Sequence, residues 1–210
     1  MALAATKSSR RTASRARRRQ QLIDATMKSI ARKGMSSVTL GDVAREAGLS
    51  QGIVNLHFKS KDNLLTETLT CLADEYKVQF DAALEKAGPR PADKLRALIE
   101  LDLRPSICDP QKIAVWFAFW GEVKSRPTYR RICDQFDCYY DEVIAGLCEE
   151  IIEEGKYGGV FAEATAEALG AMTNGLWLSC LISPRSWDRK RATDAVDSYL
   201  RGVFPKHFPS

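Results

Sequence analysis

The stretch from Thr39 to Leu65 limits the possible folds of this chain more than any other part of it. It begins with Thr39 and Asp42 at the spacing of a capping box, in which each side chain accepts a hydrogen bond from the other residue's backbone. One apolar stripe then recurs at the spacing i, i+3, i+4 and i+7, formed by Leu40, Val43, Ala44 and Ala47. Gly48 follows, so the sequence predicts a short helix that ends in a turn.

A second short helix is predicted after the turn. Ser50 can cap it, and Val54 and Phe58 lie four residues apart on its inner side. The residues that face outward are Gln51, Gly52, Ile53, Asn55 and Leu56. Two short helices joined by a glycine-containing turn are the arrangement of a helix-turn-helix, whose second helix enters the major groove of DNA.

This run resembles the DNA-binding head of the tetracycline-repressor (TetR) family of one-component transcriptional regulators. The matching positions are Thr39, Ala44, Ala47, Gly48, Ser50, Gly52, His57, Phe58, Lys61, Leu64 and Leu65. The chain departs from the family at Asn55, where many members carry an aromatic residue. The resemblance implies a helical DNA-binding head followed by a helical body that binds an effector and forms a dimer.

Charge is distributed unevenly along the 210 residues. Residues 1–61 carry 13 Lys and Arg against 3 Asp and Glu, a net charge of +10, whereas the remainder carries 18 against 24, a net charge of −6. Neutralisation of phosphates supplies most of the sequence-independent affinity of a protein for nucleic acid. A basic head on an acidic body therefore indicates a nucleic-acid binder.

The rest of the chain is predicted to be helical, since no long segment alternates apolar and polar residues with a period of two. The expected fold is all-α with about nine helices. We divide the chain into a basic mobile arm at residues 1–14, a helix-turn-helix DNA-binding domain at 15–70, and an effector-binding and dimerisation domain at 71–210. Beyond the motif, helices are predicted over residues 15–33, 61–87, 91–104, 110–126, 128–154, 163–182 and 188–203.

The body resembles a narrower group within the same family. Residues 116–120 read WFAFW, residues 127–130 read PTYR, residues 174–178 read NGLWL, and residues 188–192 read DRKRA. These runs are similar to the ligand and dimerisation domain of the BetI-type branch, whose members repress genes for the conversion of choline to glycine betaine. The resemblance implies a quaternary amine such as choline as the effector, although a branch member with another effector could keep the same residues.

Ten residues are predicted to contact DNA. Gln51 and Asn55 can pair with adenine, while Ile53 and Leu56 either meet a thymine methyl group or pack against the neighbouring helix. Gly52 brings the backbone close to the DNA. The resemblance places phosphate contacts at Thr39, His57 and Lys61. Thr39 could instead only cap its helix, and His57 could only pack against its neighbours. The full set is Arg18, Thr39, Ser50, Gln51, Gly52, Ile53, Asn55, Leu56, His57 and Lys61.

Four aromatic residues are predicted to form the effector pocket, namely Trp116, Trp120, Tyr140 and Trp177. The first two lie four residues apart on one helix face, and the other two belong to helices expected beside it. A trimethylammonium group has no N–H to donate, so ring faces hold it, each contributing about 0.5–2 kcal/mol. A carboxylate such as Glu122 or Asp141 could balance its charge. The competing interpretation is a plain aromatic core.

A homodimer is predicted to form through the last two helices, because two heads must be held at a fixed spacing to read a palindromic operator. The predicted apolar rows are Leu169, Met172, Leu176 and Cys180, then Ala195, Val196, Tyr199, Leu200 and Val203. Burial of both rows inside one subunit is the competing interpretation.

Other functional classes fit the sequence less well. The histidines are His57 and His207, and neither a nucleophile elbow nor a metal-ligand spacing occurs, so we expect no enzyme activity, metal or cofactor. The six cysteines form no CxxC pair and are interpreted as free thiols. The main alternative is an architectural DNA-binding protein without an effector, which would have no need of an aromatic-rich body. Without an apolar stretch of membrane-spanning length, the chain is expected in the cytoplasm at the nucleoid.

Overall fold

The computed structural model describes the backbone of residues 2–209 and the side chains of residues 14–209. Over that backbone range the chain forms nine α-helices and no strand, which confirms the all-α prediction. The helices are α1 (Ala2–Lys33), α2 (Leu40–Glu46), α3 (Gln51–His57), α4 (Lys61–Lys86), α5 (Pro91–Asp102), α6 (Pro110–Trp120), α7 (Pro127–Gly155), α8 (Ala162–Ile182) and α9 (Arg189–Val203).

Two helix boundaries differ clearly from the prediction. Helix α1 begins at Ala2 and not at residue 15, because residues 2–14 contain neither glycine nor proline to stop it. Helix α6 ends at Trp120 and not at residue 126, since a glycine follows and the Ser125 hydroxyl donates to the Glu122 carbonyl in competition with helical bonding. The predicted mobile arm falls almost entirely outside the residues whose side chains are described, so its mobility stays a prediction.

The chain divides into two compact units. The first comprises Met1–Leu72 with Ala114–Tyr129, and the second comprises Ala73–Ile113 with Arg130–Ser210. Helices α4, α6 and α7 therefore contribute residues to both units. The domain boundary after residue 70 stays a prediction, and the inclusion of residues 114–129 in the first unit has no counterpart in the sequence analysis.

The core of the first unit contains side chains from each of its first four helices. The fully buried members include Leu22, Ile30, Val43, Val54, Phe58, Leu64 and Leu69. Two buried hydroxyls are satisfied by carbonyls one turn back, since Thr26 donates to Leu22 at 2.7 Å and Thr68 donates to Leu64 at 2.8 Å. This packing orients the two short helices, which are too short to be stable alone.

The core of the second unit extends to the C-terminus. Its fully buried members include Phe80, Leu95, Leu98, Ile151, Leu200, Phe204 and Phe208. The Tyr157 hydroxyl accepts a hydrogen bond from the Lys206 backbone at 2.8 Å and fastens the tail beyond α9. Gly155 is needed beneath this ring, because a Cβ there would lie 2.1 Å from Tyr157.

Candidate DNA-binding surface and effector site

The helix-turn-helix motif occupies α2, α3 and the turn between them. The Thr39 hydroxyl accepts from the Asp42 backbone and the Asp42 carboxylate accepts from the Thr39 backbone, both at 3.1 Å, which confirms the predicted capping box. Gly48 has a φ of +64°, in the left-handed region that glycine adopts without strain. Ser50 occupies the N-cap of α3 as predicted, but its side chain makes no capping hydrogen bond.

The outward face of α3 carries most of the residues that were predicted to read bases. Gln51, Gly52 and Asn55 are exposed, and Leu56 is 71% exposed. Ile53 is half-buried, which leaves its two interpretations open. The opposite face is held by Val54, which is fully buried. The structure therefore brings the predicted base-reading side chains onto one open helix face.

Asp42 fastens α2 to the end of α1. Its Oδ1 accepts from Lys33 Nζ at 2.6 Å and from Arg45 at 3.2 Å, while its Oδ2 accepts from Thr39. These bonds, the one from Lys33 above all, hold the pKa of Asp42 far below its usual range. An ionised carboxylate thus joins the two helices at all ordinary pH values.

Arg19 links α1 to the end of α3 and to α4. Its guanidinium donates to the His57 carbonyl at 3.4 Å, lies 4.8 Å from the centroid of the Phe58 ring, and pairs with Glu67. The sequence analysis did not predict these internal contacts of Arg19, because its partners lie 38 or more residues away along the chain and give no local signal. Arg19 positions the C-terminal end of the outward helix.

Two of the residues that were predicted to contact DNA form hydrogen bonds within the protein. Arg18 is exposed and donates to Gln21 Oε1 at 2.8 Å. Lys61 donates to the carbonyls of Met35 and Ser36, both at 3.2 Å. An ammonium group has three N–H donors, so Lys61 keeps one for an anion.

His57 closes α3 and is half-buried. Burial lowers the pKa of His57, and the charges of Arg15 and Arg19 lower it further, so the ring is neutral near neutral pH. Its Nδ1 is enclosed and has no hydrogen-bond partner within the described part of the chain. A neutral imidazole can donate one hydrogen bond to a phosphate but brings no charge to it.

In the second unit, aromatic side chains from α4, α7 and α8 converge on Tyr76. The Tyr76 ring centroid lies 5.1 Å from those of Phe136 and Tyr140, and 6.3 Å from that of Trp177. The Phe80 ring lies 4.4 Å from Tyr140. The sequence analysis assigned Tyr140 and Trp177 to the effector pocket but not Tyr76, Phe80 or Phe136, because helical spacing cannot separate a ligand-facing ring from a core ring.

Asp102, the last residue of α5, lies beside this aromatic cluster. The Tyr76 hydroxyl donates to its Oδ1, and Trp177 Nε1 donates to its backbone carbonyl at 2.9 Å. Asp102 is half-buried as a residue, but protein atoms surround its carboxyl closely enough to raise the pKa of Asp102 to about 7, against the lowering effect of the Tyr76 bond. The sequence analysis did not identify this carboxyl.

Trp116 and Trp120 form a separate pair on α6, with ring centroids 5.9 Å apart. They lie in the first compact unit, whereas Tyr140 and Trp177 lie in the second. The first unit also holds Tyr129, a buried residue whose hydroxyl has no partner among the described residues. The structure therefore groups the four predicted effector residues as two pairs, and one pocket formed by all four stays a prediction.

The carboxylates that were predicted to balance an effector charge lie at the surface. Asp141 is exposed on α7, and Glu122 is half-buried in the turn after α6, where it accepts from the Ser125 hydroxyl at 3.0 Å. On the same face of α7 as Asp141, burial raises the pKa of Asp137 to about 6, helped by the charges of Asp141 and Asp134.

An open groove of about 480 Å³ lies against α4, α5 and α7 in the second unit. Its lining residues are Leu84, Glu85, Lys94, Glu142, Val143, Gly146, Leu147 and Glu150. Because this lining contains three glutamates and no aromatic ring, the groove is distinct from the cluster around Tyr76.

Four residues of the predicted dimer rows are buried within their own chain. Leu169, Cys180, Val196 and Leu200 are 3%, 4%, 1% and 0% exposed. This burial favours the competing interpretation for these four residues, in which the rows pack inside one subunit. Met172, Leu176 and Tyr199 are half-buried, and the interface itself stays a prediction.

The outward face of α8 is formed by other residues. Ala171, Gly175, Leu178 and Ile182 recur at helical spacing and are all exposed, with Ile182 at 69%. On α9 the exposed small residues are Ala195, Ser198 and Gly202. Small residues next to large apolar ones allow two helices to approach closely and bury area against each other.

Two negative findings concern the described residues. In this part of the chain, no group of three or more His, Cys, Asp or Glu side chains is placed to hold a metal ion. None of the helices found there combines the length and apolar character needed to cross a membrane.

These features define a helix-turn-helix DNA-binding regulator with a helical body. Residues 22–68 match the family described as bacterial regulatory proteins, tetR family, and residues 91–205 match the family described as BetI-type transcriptional repressor, C-terminal. The chain belongs to the TetR family of transcriptional repressors and has a C-terminal domain of the BetI type.

Two relatives are similar over most of their length. The HTH-type transcriptional regulator BetI of Paraburkholderia phymatum is 32% identical over 183 residues, which cover 87% of this chain and 91% of that protein. The protein of the same name from Serratia proteamaculans is 29% identical over 199 residues, covering 90% and 95%. These relatives are transcriptional regulators and not enzymes.

Two crystal structures share the fold. A transcriptional regulator from Pseudomonas aeruginosa PAO1 superimposes with a TM-score of 0.79 at 26% identity, over 92% of this chain and 94% of that one. A regulator from Saccharomonospora viridis, solved in complex with choline, has a TM-score of 0.79 at 23% identity, over 89% and 96% of the chains.

Proposed function

We propose that this repressor is a homodimer that binds a palindromic operator and releases it when a small quaternary amine, such as choline or betaine aldehyde, binds to its body. One observation carries the proposal: a single helix, α4, starts directly after the outward helix α3 and carries Tyr76, the centre of the aromatic cluster. An effector that binds at Tyr76 therefore acts on α4, the helix that continues from the DNA-binding motif.

On the DNA side, α3 enters the major groove and its exposed side chains read bases. Gln51 and Asn55 are exposed amides that can form paired hydrogen bonds with adenine, and Leu56 is an exposed apolar side chain that can meet a thymine methyl group. Arg18, Thr39, Ser50, His57 and Lys61 approach the phosphates around this contact. Arg19 stabilises the end of α3, because it donates a hydrogen bond to the carbonyl of His57, the last residue of that helix.

The dimer forms through the outward faces of α8 and α9. Leu178 and Ile182 supply the large apolar side chains, and the exposed alanines and glycines of both helices permit close approach. A symmetric pair of such faces makes a two-fold interface, which matches the two-fold symmetry of a palindromic operator.

On the effector side, Tyr76, Tyr140 and Trp177 hold the quaternary ammonium group by their ring faces. The rings contact one another in the free chain, with Tyr76 and Tyr140 packed edge to face. The effector must separate them to enter, and this separation displaces α4. The choline complex of the Saccharomonospora viridis regulator, which shares the fold, supports this class of effector.

Footprinting combined with calorimetry tests the proposal. The DNA that flanks the gene for this protein is footprinted with and without choline, betaine aldehyde and glycine betaine, and the same ligands are titrated into the protein. We expect a protected palindrome whose protection is lost with at least one ligand. Uniform protection of all DNA with no ligand effect would instead indicate an architectural DNA-binding protein.

A further inference from the structure

Asp102 is bound by two members of the aromatic cluster, one at its side-chain carboxyl and one at its backbone carbonyl. The Tyr76 hydroxyl, on α4, donates to Oδ1, and the Trp177 indole, on α8, donates to the backbone carbonyl at 2.9 Å. The flanking residues Leu101 and Leu103 are buried and fix this end of α5 in the core. The carboxyl is thus held among rings, at a position set by three helices.

Among the side chains of residues 14–209, no cation pairs with this carboxyl, since their ion pairs do not include Asp102. By contrast, Asp42 binds Lys33 at 2.6 Å and Asp197 binds Arg96 at 2.9 Å. A carboxylate taken out of water without a cation is unfavourable, and a cationic ligand would relieve that cost.

We propose that Asp102 is the counter-charge for the cationic head group of the effector, so that the ammonium group lies between this carboxylate and the rings of Tyr76 and Trp177. This assignment rests on the proposed effector class and adds the residue that selects for positive charge. Asp141 on α7 is exposed, and Glu122 after α6 is bound by the Ser125 hydroxyl, so neither carboxylate is as enclosed as that of Asp102.

The assignment has a consequence for pH. Burial raises the pKa of Asp102 to about 7. The titratable groups that face it are Tyr76 from α4, Cys108 from the connection between α5 and α6, and Tyr140 from α7, and burial raises the pKa of each of the three well above neutral. From α8, Trp177 does not titrate, and Cys180 acts on Cys108. Asp137, on α7, acts on Tyr76 and Tyr140, and burial raises the pKa of Asp137 to about 6. Of these groups, Asp102 is the one whose charge changes closest to pH 7.

A cation binds the ionised form of Asp102, so its binding displaces the proton. Affinity for choline should therefore rise about tenfold between about pH 6 and about pH 8 and then level off. Near pH 7, each choline that binds should release about half a proton.

The test compares choline with its uncharged carbon analogue, 3,3-dimethylbutan-1-ol, by calorimetry in two buffers of different ionisation enthalpy. Asp102→Asn removes the charge and keeps an acceptor for Tyr76, and Asp141→Asn is the matched control. We expect Asp102→Asn to weaken choline binding at least about tenfold, to abolish proton release, and to leave the alcohol's affinity unchanged. Asp141→Asn should behave as the wild type.

Failure of this assignment is distinguishable from failure of the proposed function. If the wild type binds choline but Asp102→Asn binds it equally well with the same proton release, the counter-charge lies elsewhere and the quaternary amine effector stands. If the wild type binds no quaternary amine, both are overturned. Should Asp102→Asn fail to fold, proton release by the wild type and by Asp137→Asn decides: release that both proteins show supports the assignment, and its absence from either contradicts it.

Discussion

At the scale of single residues, α3 separates side chains that face outward from side chains that hold the helix in place. Asn55 and Leu56 project outward, while Val54 is buried and the last carbonyl of the helix is bound by Arg19. Substitution of an outward residue should therefore change recognition without changing the fold.

Asn55→Ala should relax the sequence preference of the protein. Loss of a bidentate contact to adenine should weaken operator binding by about 1–3 kcal/mol and leave random DNA unaffected. The measurement is fluorescence anisotropy on the footprinted operator and on a scrambled duplex. Equal losses on both duplexes would show that Asn55 does not read bases.

Lys61→Ala should weaken binding to operator and random DNA alike and reduce the salt slope by about one. Lys61 also binds two carbonyls of the segment before α2, so its removal should lower the melting temperature slightly. An unchanged salt slope in a folded variant would assign Lys61 to that internal contact alone.

Asp42→Asn should destabilise the DNA-binding head near neutral pH. The pKa of Asp42 is lowered in the folded protein, chiefly by Lys33, so its contribution to stability is present above the usual pKa of an aspartate, about 4, and is lost as the pH falls below it. Thermal melts should show a lower melting temperature than the wild type at about pH 7 and a smaller difference at about pH 3.

Asp24→Asn is the control for that comparison. Asp24 is exposed on α1 and accepts a hydrogen bond from the exposed Gln20, so its replacement should leave the melting temperature nearly unchanged. A melting temperature of Asp42→Asn equal to that of the wild type at neutral pH would contradict the role of this carboxylate.

At the scale of helices, apolar spacing and end signals in the sequence predicted most of the fold. The capping box at Thr39, the turn at Gly48 and the proline at the start of α5 all lie where they were expected. These signals are local, because a helix end is decided by the few residues that flank it.

The sequence did not distinguish the buried side of an apolar helix from its exposed side. Leu200 and Ile182 are both aliphatic residues on long helices, but one is fully buried and the other is 69% exposed. Likewise Asp102 and Asp141 are both aspartates on helices, and only one lies against aromatic rings. Packing between distant segments decides these cases, and a single sequence does not record it.

A charge on the outward face of α8 should yield monomers. Ile182→Glu places a carboxylate where the proposed interface is apolar, and a buried unpaired charge is strongly unfavourable. Size-exclusion chromatography with light scattering should give the mass of one chain, with an unchanged circular dichroism spectrum. Leu200→Glu should instead unfold the protein, because Leu200 is fully buried.

Val78→Glu is the matched control for the interface. Val78 is 67% exposed on α4, close to the exposure of Ile182, and does not belong to α8 or α9. This variant should remain a dimer. Dimers of full strength for Ile182→Glu would place the interface on another surface.

At the scale of the whole molecule, α4 contributes residues to both compact units and would connect the two proposed functions. Its first turn follows the DNA-binding motif, and Tyr76 lies on its later part within the aromatic cluster. An effector that separates these rings has to move the same helix that continues from α3, which would couple the two sites.

Substitutions in the two aromatic pairs should show which pair belongs to the effector site. Trp177→Ala removes one ring and should reduce choline affinity by about 0.5–2 kcal/mol in calorimetry. Trp116→Ala, in the other pair, should have the same effect only if one pocket contains all four predicted residues. Unchanged choline affinity in a folded Trp177→Ala variant would exclude the cluster around Tyr76 as the site.

Operator release by choline tests the central claim most directly. The footprinted operator is labelled, bound by the protein, and titrated with choline while anisotropy is recorded, with 3,3-dimethylbutan-1-ol as the uncharged control. We predict that anisotropy falls to the value of free DNA over the same choline concentrations at which calorimetry detects binding, and that the alcohol has a weaker effect. Stable anisotropy at choline concentrations that saturate the protein would contradict a choline-relieved repressor.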